Sequence, residues 1–201
     1  MTPLLSLLIA YVLGAIPFGY VLVKWKTGTD VRSAGSGNIG ATNVLRTTGT
    51  VAGVVTLLLD IAKGYAAVWI ADILTGHDPF WMSAAALAVM AGHAYPVFLK
   101  FQGGKAVASF VGAFLRLTPL PMLAVLLVFV VAVAWTRHIS LGSILAAGTF
   151  PLAVWLILQP PLPVVVASFV AGIFIIYRHA GNIRRLHEGS EHTLTFGAKP
   201  S

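Results

Sequence analysis

Apolar and polar stretches alternate along the chain with a long period. Apolar runs cover residues 3–24, 51–71, 80–99, 106–117, 122–136, 140–158 and 164–177. Between them lie a polar interval at 25–50, a short turn at 72–79, a link at 100–104 and the breaker Thr118-Pro119-Leu120-Pro121. Arg137-His138 and the breaker Gln159-Pro160-Pro161-Leu162-Pro163 follow, and a basic tail completes the chain. Runs of about 18 or more apolar residues match the hydrocarbon thickness of a bilayer. The pattern predicts an all-α fold: a polytopic membrane helical bundle of seven transmembrane helices. It forms a single integral-membrane domain over residues 1–201, with 193–201 as a flexible tail. The fourth run reaches only about 18 Å, against the roughly 30 Å of a hydrocarbon core. It is expected to begin inside a vestibule or to be re-entrant.

Composition supports this reading. The 201 residues are 58% hydrophobic and 9% charged, and mean hydropathy is +0.89. Soluble domains carry about 25% charge. The N-terminal run has no positive residue ahead of it, and Lys24 and Lys26 stand at its end. It is therefore expected to be a retained span rather than a signal peptide. A net charge of +7 could suggest nucleic acid, but the basic residues sit at span ends, where orientation and anionic lipid headgroups account for them. No nucleic-acid partner is expected. Lys26, Arg32, Arg46, Lys100, Lys105, Arg137, Arg178, Arg184, Arg185 and Lys199 fall on one side of a seven-span topology. Asp72, Asp78 and Arg116 fall on the other. The positive-inside rule then puts the N-terminus out and the C-terminus in the cytoplasm. Trp25, Trp69, Trp81, Trp135 and Trp155 lie near run ends, as an interfacial belt requires.

Candidate chemistry lies in three polar clusters expected on the cytoplasmic side. The first is Gly35-Ser36-Gly37-Asn38-Ile39-Gly40-Ala41-Thr42-Asn43, flanked by Arg32 and Arg46. Its glycines permit unusual torsions, and its backbone N–H groups could form an anion-binding concavity. Ser36 has no evident neighbouring base and reads as a hydrogen-bonding positioner. The second is Gly103-Gly104-Lys105. Leu99 and Ala106 stand where a P-loop needs glycine and Ser or Thr, so nucleotide binding by that motif is unsupported. Phosphate contact or a plain helix cap with a snorkelling lysine remain open. The third holds His179, Asn182 and Arg185 at helical spacing, with Glu191 beyond as a brace for a basic side chain. His179 has the chemistry of a base at neutral pH.

Asp60 and Lys63 lie within an apolar run, three residues apart, and read as an internal pair that tethers helices. His93 and Tyr95 read as interface residues. His187, Glu188 and His192 lack the HExxH spacing, and there are no cysteines, so no metal site is expected. A transporter is the competing class, since Asp60 and Lys63 could line an ion path, but such sites usually lie at the midplane between repeats. A lipid-binding scaffold is the third.

Three motifs together resemble the bacterial acyl-phosphate-dependent glycerol-3-phosphate acyltransferases. They are Ser36-Gly37-Asn38-Ile39-Gly40-Ala41-Thr42-Asn43, then Gly103-Gly104-Lys105-Ala106-Val107-Ala108, then His179, Asn182, Ile183, Arg185, Leu186, Gly189 and Glu191. The resemblance implies a multi-pass inner-membrane enzyme with its active site facing the cytoplasm. It would move a fatty acyl group from acyl phosphate to the 1-hydroxyl of glycerol 3-phosphate, giving lysophosphatidic acid and phosphate, without a cofactor. The soluble enzyme that makes acyl phosphate becomes a candidate partner beside membrane lipids. By resemblance Ser36, His179 and Asn182 serve catalysis. Gly37, Asn38, Thr42, Asn43, Arg46, Gly103, Gly104, Lys105 and Arg185 bind substrate, and Glu191 is structural. Whether His179 or the substrate's own phosphate takes the hydroxyl proton stays open at this point.

Overall fold

A computed structural model describes residues 1–194. The described residues are helical, with turns and no strand. They divide into two units, one over Met1–Arg116 and one beginning at Leu117. The expected flexible tail and Lys199 fall mostly outside the described residues. Leu194, at their limit, donates its amide to Arg137 O at 2.7 Å.

The first unit opens with α1 (Thr2–Ala15) and α2 (Phe18–Thr27). The sequence predicts one continuous element here, but Pro17 interrupts it. Proline lacks an amide and disfavours helical torsions in the residue before it. Ile16 is accordingly extended, at φ −63° and ψ 114°. Its carbonyl accepts the Phe18 amide at 3.2 Å and a hydrogen bond from Lys63 Nζ at 2.8 Å. Next come α3 (Ala41–Thr48), α4 (Thr50–Leu74), α5 (Pro79–Ala94) and α6 (Val107–Leu117). Asp78 caps α5, its carboxylate accepting the Phe80 amide at 2.8 Å, and Pro79 occupies the first helical position, where no amide is needed.

Helix α1 packs on α4 and α5, and α4 also packs on α2, α3 and α5. The closest approaches occur at glycines. A Cβ on Gly14 would collide with Val89 O, one on Gly92 with Tyr11 O, one on Gly64 with Ser109 O and one on Gly112 with Ile61 O. Small residues that let backbones touch are the usual means of helix association in lipid. At the far ends of α4 and α6, buried Asp72 pairs with Arg116 Nη2 and with His77 Nδ1.

The second unit contains α7 (Pro119–Thr136), α8 (Ile139–Leu158), α9 (Leu162–Arg178) and α10 (Ala180–His187). Helix α8 packs between α7 and α9, and α10 touches α8 and α9. His179 stands at the corner where the chain turns by 56° from α9 into α10.

Five helical stretches among the described residues are long and apolar enough to cross a membrane, and six if the bent α9–α10 pair is one span. Helix α6, with 11 residues, is about 16 Å long and too short to cross alone. Many large apolar side chains point outward, among them Leu8, Leu58, Trp69, Leu127, Leu156 and Ile173. That is the arrangement a lipid solvent favours.

Candidate active site

The first polar interval folds around Asn43, which is buried on α3. Its Nδ2 donates to Val31 O at 3.1 Å, Ala34 O at 3.1 Å and Asn38 O at 2.8 Å, while its Oδ1 accepts the Ser36 amide at 2.8 Å. Asn38 Oδ1 accepts the Gly40 amide at 2.8 Å, and the Gly37 amide donates to Ala34 O. Three amides that could have formed an anion-binding concavity, those of Ser36, Gly37 and Gly40, are thus bonded within the loop. Gly35 and Gly37 adopt φ of +59° and +70°, so glycine shapes the turn there. The outcome is an exposed Ser36, with half-buried Asn38, Thr42 and Arg46 beside it. Thr42 and Arg46 are four apart on α3 and so share a face.

Arg32 is committed elsewhere. It chelates Asp30, with Nη2 to Oδ2 at 2.7 Å, and lies 5.5 Å over the Tyr20 ring. The hydrogen bonds from Arg32 hold the Asp30 carboxyl below its usual range.

Beneath the loop, Val23, Val31, Ile39, Val44 and Ala52 form one buried cluster with Leu99. Leu99 begins the turn into the second motif, so this core sets the first loop and the 100–105 link side by side. Gly103 and Gly104 donate their amides to Ala94 O at 3.1 Å and His93 O at 3.0 Å. Neither has positive φ. They are glycines because a Cβ on Gly103 would strike His93 O and Pro96, and one on Gly104 would strike His93 Nε2. Lys105 follows, half-buried, and then Ala106 adopts φ +62° before its carbonyl accepts the Phe110 amide at 2.8 Å to start α6.

Lys63 Nζ lies 2.8 Å from Asp60 Oδ1, a buried ion pair. The same oxygen is 3.6 Å from His93 Nδ1. Lys63 also sits 5.6 Å over the Phe18 ring. His93 is not an interface residue. It is 4% exposed, and Ser109 Oγ lies 3.2 Å from its Nδ1. Sequence spacing showed the Asp60–Lys63 pair but held no sign of its third and fourth members.

In the second unit Glu191 is the hub. Its Oε1 accepts from Ser140 Oγ at 2.9 Å and Asn182 Nδ2 at 2.7 Å, and its Oε2 accepts from Arg185 Nε at 2.7 Å. Burial opposes its ionisation, but the hydrogen bonds from Asn182, Arg185 and Ser140 outweigh that and hold the carboxyl below its usual range. Ser140, 51 residues away, escaped notice in the sequence. His179 is buried at the helix corner, and its Nδ1 lies 2.8 Å from Ile175 O. A carbonyl only accepts, so Nδ1 carries the proton and the basic lone pair of the neutral ring is on Nε2. No group of three or more metal-ligating side chains occurs among the described residues.

Apolar helices carrying cationic, glycine-bearing loops at their ends define a polytopic integral membrane protein. The family model for glycerol-3-phosphate acyltransferase matches residues 4–189, and the chain belongs to that family. The glycerol-3-phosphate acyltransferase of Geobacter sulfurreducens is 47% identical over 184 residues, covering 92% of this chain and 93% of that one. The enzyme of the same name from Desulforamulus reducens is 44% identical over 194 residues, covering 96% of each. The crystal structure of PlsY (YgiH), an integral membrane glycerol 3-phosphate acyltransferase, in its glycerol 3-phosphate form matches with a TM-score of 0.92 at 40% identity, over 97% of this chain and 96% of that one. Its lysophosphatidic acid form matches with a TM-score of 0.89 at 38% identity.

Proposed function

We propose that this membrane enzyme transfers a fatty acyl group from acyl phosphate to the 1-hydroxyl of glycerol 3-phosphate, releasing lysophosphatidic acid and inorganic phosphate. The hydroxyl oxygen attacks the acyl carbonyl carbon. The carbon–oxygen bond to phosphate breaks, phosphate leaves with the electron pair, and the hydroxyl proton passes to His179 Nε2. The observation that carries the reading is the His179 ring, fixed through Nδ1 to Ile175 O so that a basic nitrogen is held in one orientation.

What is known of Ser36 supports the choice of donor. The histidines of the first unit, His77 and His93, are engaged by Asp72 and by Asp60 with Ser109. Neither histidine of the first unit is thus available to Ser36 as a base, and the chain has no cysteine nucleophile. Direct transfer from a donor that brings its own leaving group suits such a site. A phosphate leaving group adds charge that Arg46, Lys105 and Arg185 can neutralise. Lys105 holds the phosphate of glycerol 3-phosphate, Ser36 and Asn38 align the substrates, and Glu191 braces Asn182 and Arg185. Asn43 acts through the loop it ties together. The proposed setting is the bacterial inner membrane, crossed seven times with the N-terminus outside and the reaction at the cytoplasmic face.

The test gives purified protein in detergent glycerol 3-phosphate with either acyl phosphate or acyl-CoA. Lysophosphatidic acid should form from acyl phosphate; formation from acyl-CoA alone would overturn the donor. His179→Asn keeps an amide donor for Ile175 O but removes the base, and should lower kcat by about 10²–10⁴. Lys105→Ala should raise KM for glycerol 3-phosphate about tenfold or more, the scale of a charge-assisted phosphate contact. An unchanged KM would remove Lys105 from that role.

A further inference from the structure

The buried polar group in the middle of the first unit has no part in the chemistry above, yet it touches the second motif. Asp60 is 2% exposed, Lys63 4%, His93 4% and Ser109 0%. A run of contacts joins them. The Ile16 carbonyl, at the break before Pro17, holds Lys63; Lys63 holds Asp60; Asp60 and Ser109 both face His93 Nδ1. The opposite edge of the ring, at Nε2, fills the place a Cβ on Gly104 would take, and the His93 carbonyl receives the Gly104 amide. The residue after Gly104 is Lys105.

Charged groups are costly within a membrane-spanning helix and are kept where they act or position something. A tether alone would need only Asp60 and Lys63. The additional partners point one face of an imidazole at a backbone that must be glycine to admit it. On the far side of Lys105, Ala106 is held in the left-handed region at 0% exposure, a conformation unfavourable for an L-residue. The short segment 104–106 is thus fixed from both ends.

We infer that His93 is a positioning residue for glycerol 3-phosphate: oriented through Nδ1 by Asp60 and Ser109, it seats the Gly104 backbone and thereby sets where Lys105 presents its ammonium. The inference rests on the reading that Lys105 holds that substrate. Asp60 and Lys63, expected from sequence only to tether helices, become the rear support of the binding loop.

Initial rates of the purified enzyme, measured against glycerol 3-phosphate and separately against acyl phosphate, test this. Ser109→Ala removes one of the two Nδ1 neighbours without burying a charge. It should raise KM for glycerol 3-phosphate about three- to fivefold, the worth of one hydrogen bond, with KM for acyl phosphate unchanged and the thermal midpoint lowered by only about 2–4 °C. Gly104→Ala pushes a methyl into the ring and should raise that KM further. In a His93→Ser background the space is vacated, so adding Gly104→Ala should have less than half its effect on log KM. Equal effects of Gly104→Ala in both backgrounds would overturn the inference, as would a Ser109→Ala enzyme that loses turnover and both affinities in proportion. If Lys105→Ala leaves the glycerol 3-phosphate dependence unchanged, the loop assignment itself fails. If Lys105→Ala raises KM while Ser109→Ala and the double variant do not behave as stated, the inference alone fails.

Discussion

Asn43 offers the sharpest test of how the first loop is built. Its carboxamide makes four hydrogen bonds, three as donor through Nδ2 and one as acceptor through Oδ1. Truncation to alanine strands the Val31 carbonyl in the interior, at about 1–3 kcal/mol. The other partners lie nearer water, and two hydrogens shared among three carbonyls do not count as three full bonds. At roughly 0.5 kcal/mol apiece these three bring the total to about 2.5–4.5 kcal/mol. For a chain of this size, with about 2–4 °C per kcal/mol, Asn43→Ala should lower the thermal midpoint by roughly 5–18 °C.

Asn43→Asp separates shape from hydrogen-bond sense. The new side chain has the same outline and still accepts from Ser36, but a carboxylate oxygen now faces three carbonyls. At pH 7.5 it should be less stable than the alanine variant, although it removes no volume. Protonation restores an O–H donor. The folded-state pKa is therefore raised above the unfolded value, and the penalty is largest above the folded pKa. It fades as pH falls through that pKa toward the unfolded value of about 3.9. Intrinsic fluorescence of the five tryptophans, recorded during heating in detergent from pH 8 to pH 5, reads this directly. Turnover should fall in parallel, because Ser36 is held through the same carboxamide. An Asn43→Asp enzyme as stable and active as wild type at pH 7.5 would refute the donor assignment, and with it the view that Asn43 organises the loop.

Other perturbations follow from the same geometry. Glu191→Gln keeps an acceptor for Ser140 and Asn182 but turns an amide toward Arg185 Nε, and should cost about 1–3 kcal/mol at neutral pH. Because the folded Glu191 carboxyl lies below its ordinary value near 4.5, its contribution is fully present above that pH and is lost as pH falls through the folded value. The stability gap between wild type and Glu191→Gln should therefore close on acidification; a gap that widens instead would remove the ionised hub. Gly112→Ala drives a methyl into Ile61 O and should destabilise by about 1–3 kcal/mol, read as a lower thermal midpoint with KM values unchanged in the surviving enzyme.

Local spacing carried much of this molecule. The apolar runs marked the helices, the prolines marked many of their ends, and the three-position step from Asp60 to Lys63 sufficed to foresee their pairing, because neighbours on a helix are fixed by its pitch. Residues joined by packing were invisible. Ser140 meets Glu191 across 51 positions. His93 looked like an end-of-span histidine because its partners, Asp60 and Ser109, come from two other helices. Pro17 sat inside a run that is apolar on average, and hydropathy does not register a missing amide. Asn43 looked like a ligand because amides beside glycines often are. Only its four partners show that the side chain is occupied in shaping the loop.

The glycines show why composition misleads in this setting. In water a helical glycine reads as a weak point, because it costs backbone entropy and packs nothing. Here Gly14, Gly64, Gly92, Gly112 and Gly172 all lie within helices, none has positive φ, and at each an added Cβ would run into a carbonyl oxygen of a neighbouring helix. Lipid offers no hydrophobic drive between apolar helices, so the gain must come from close contact, and close contact needs a residue without a side chain. Gly103 and Gly104 extend the same logic from the helices to the loop that carries Lys105. Their lack of a Cβ lets that loop lie against the end of α5 and the His93 ring. The packing rule that assembles this unit is therefore also the rule that places Lys105.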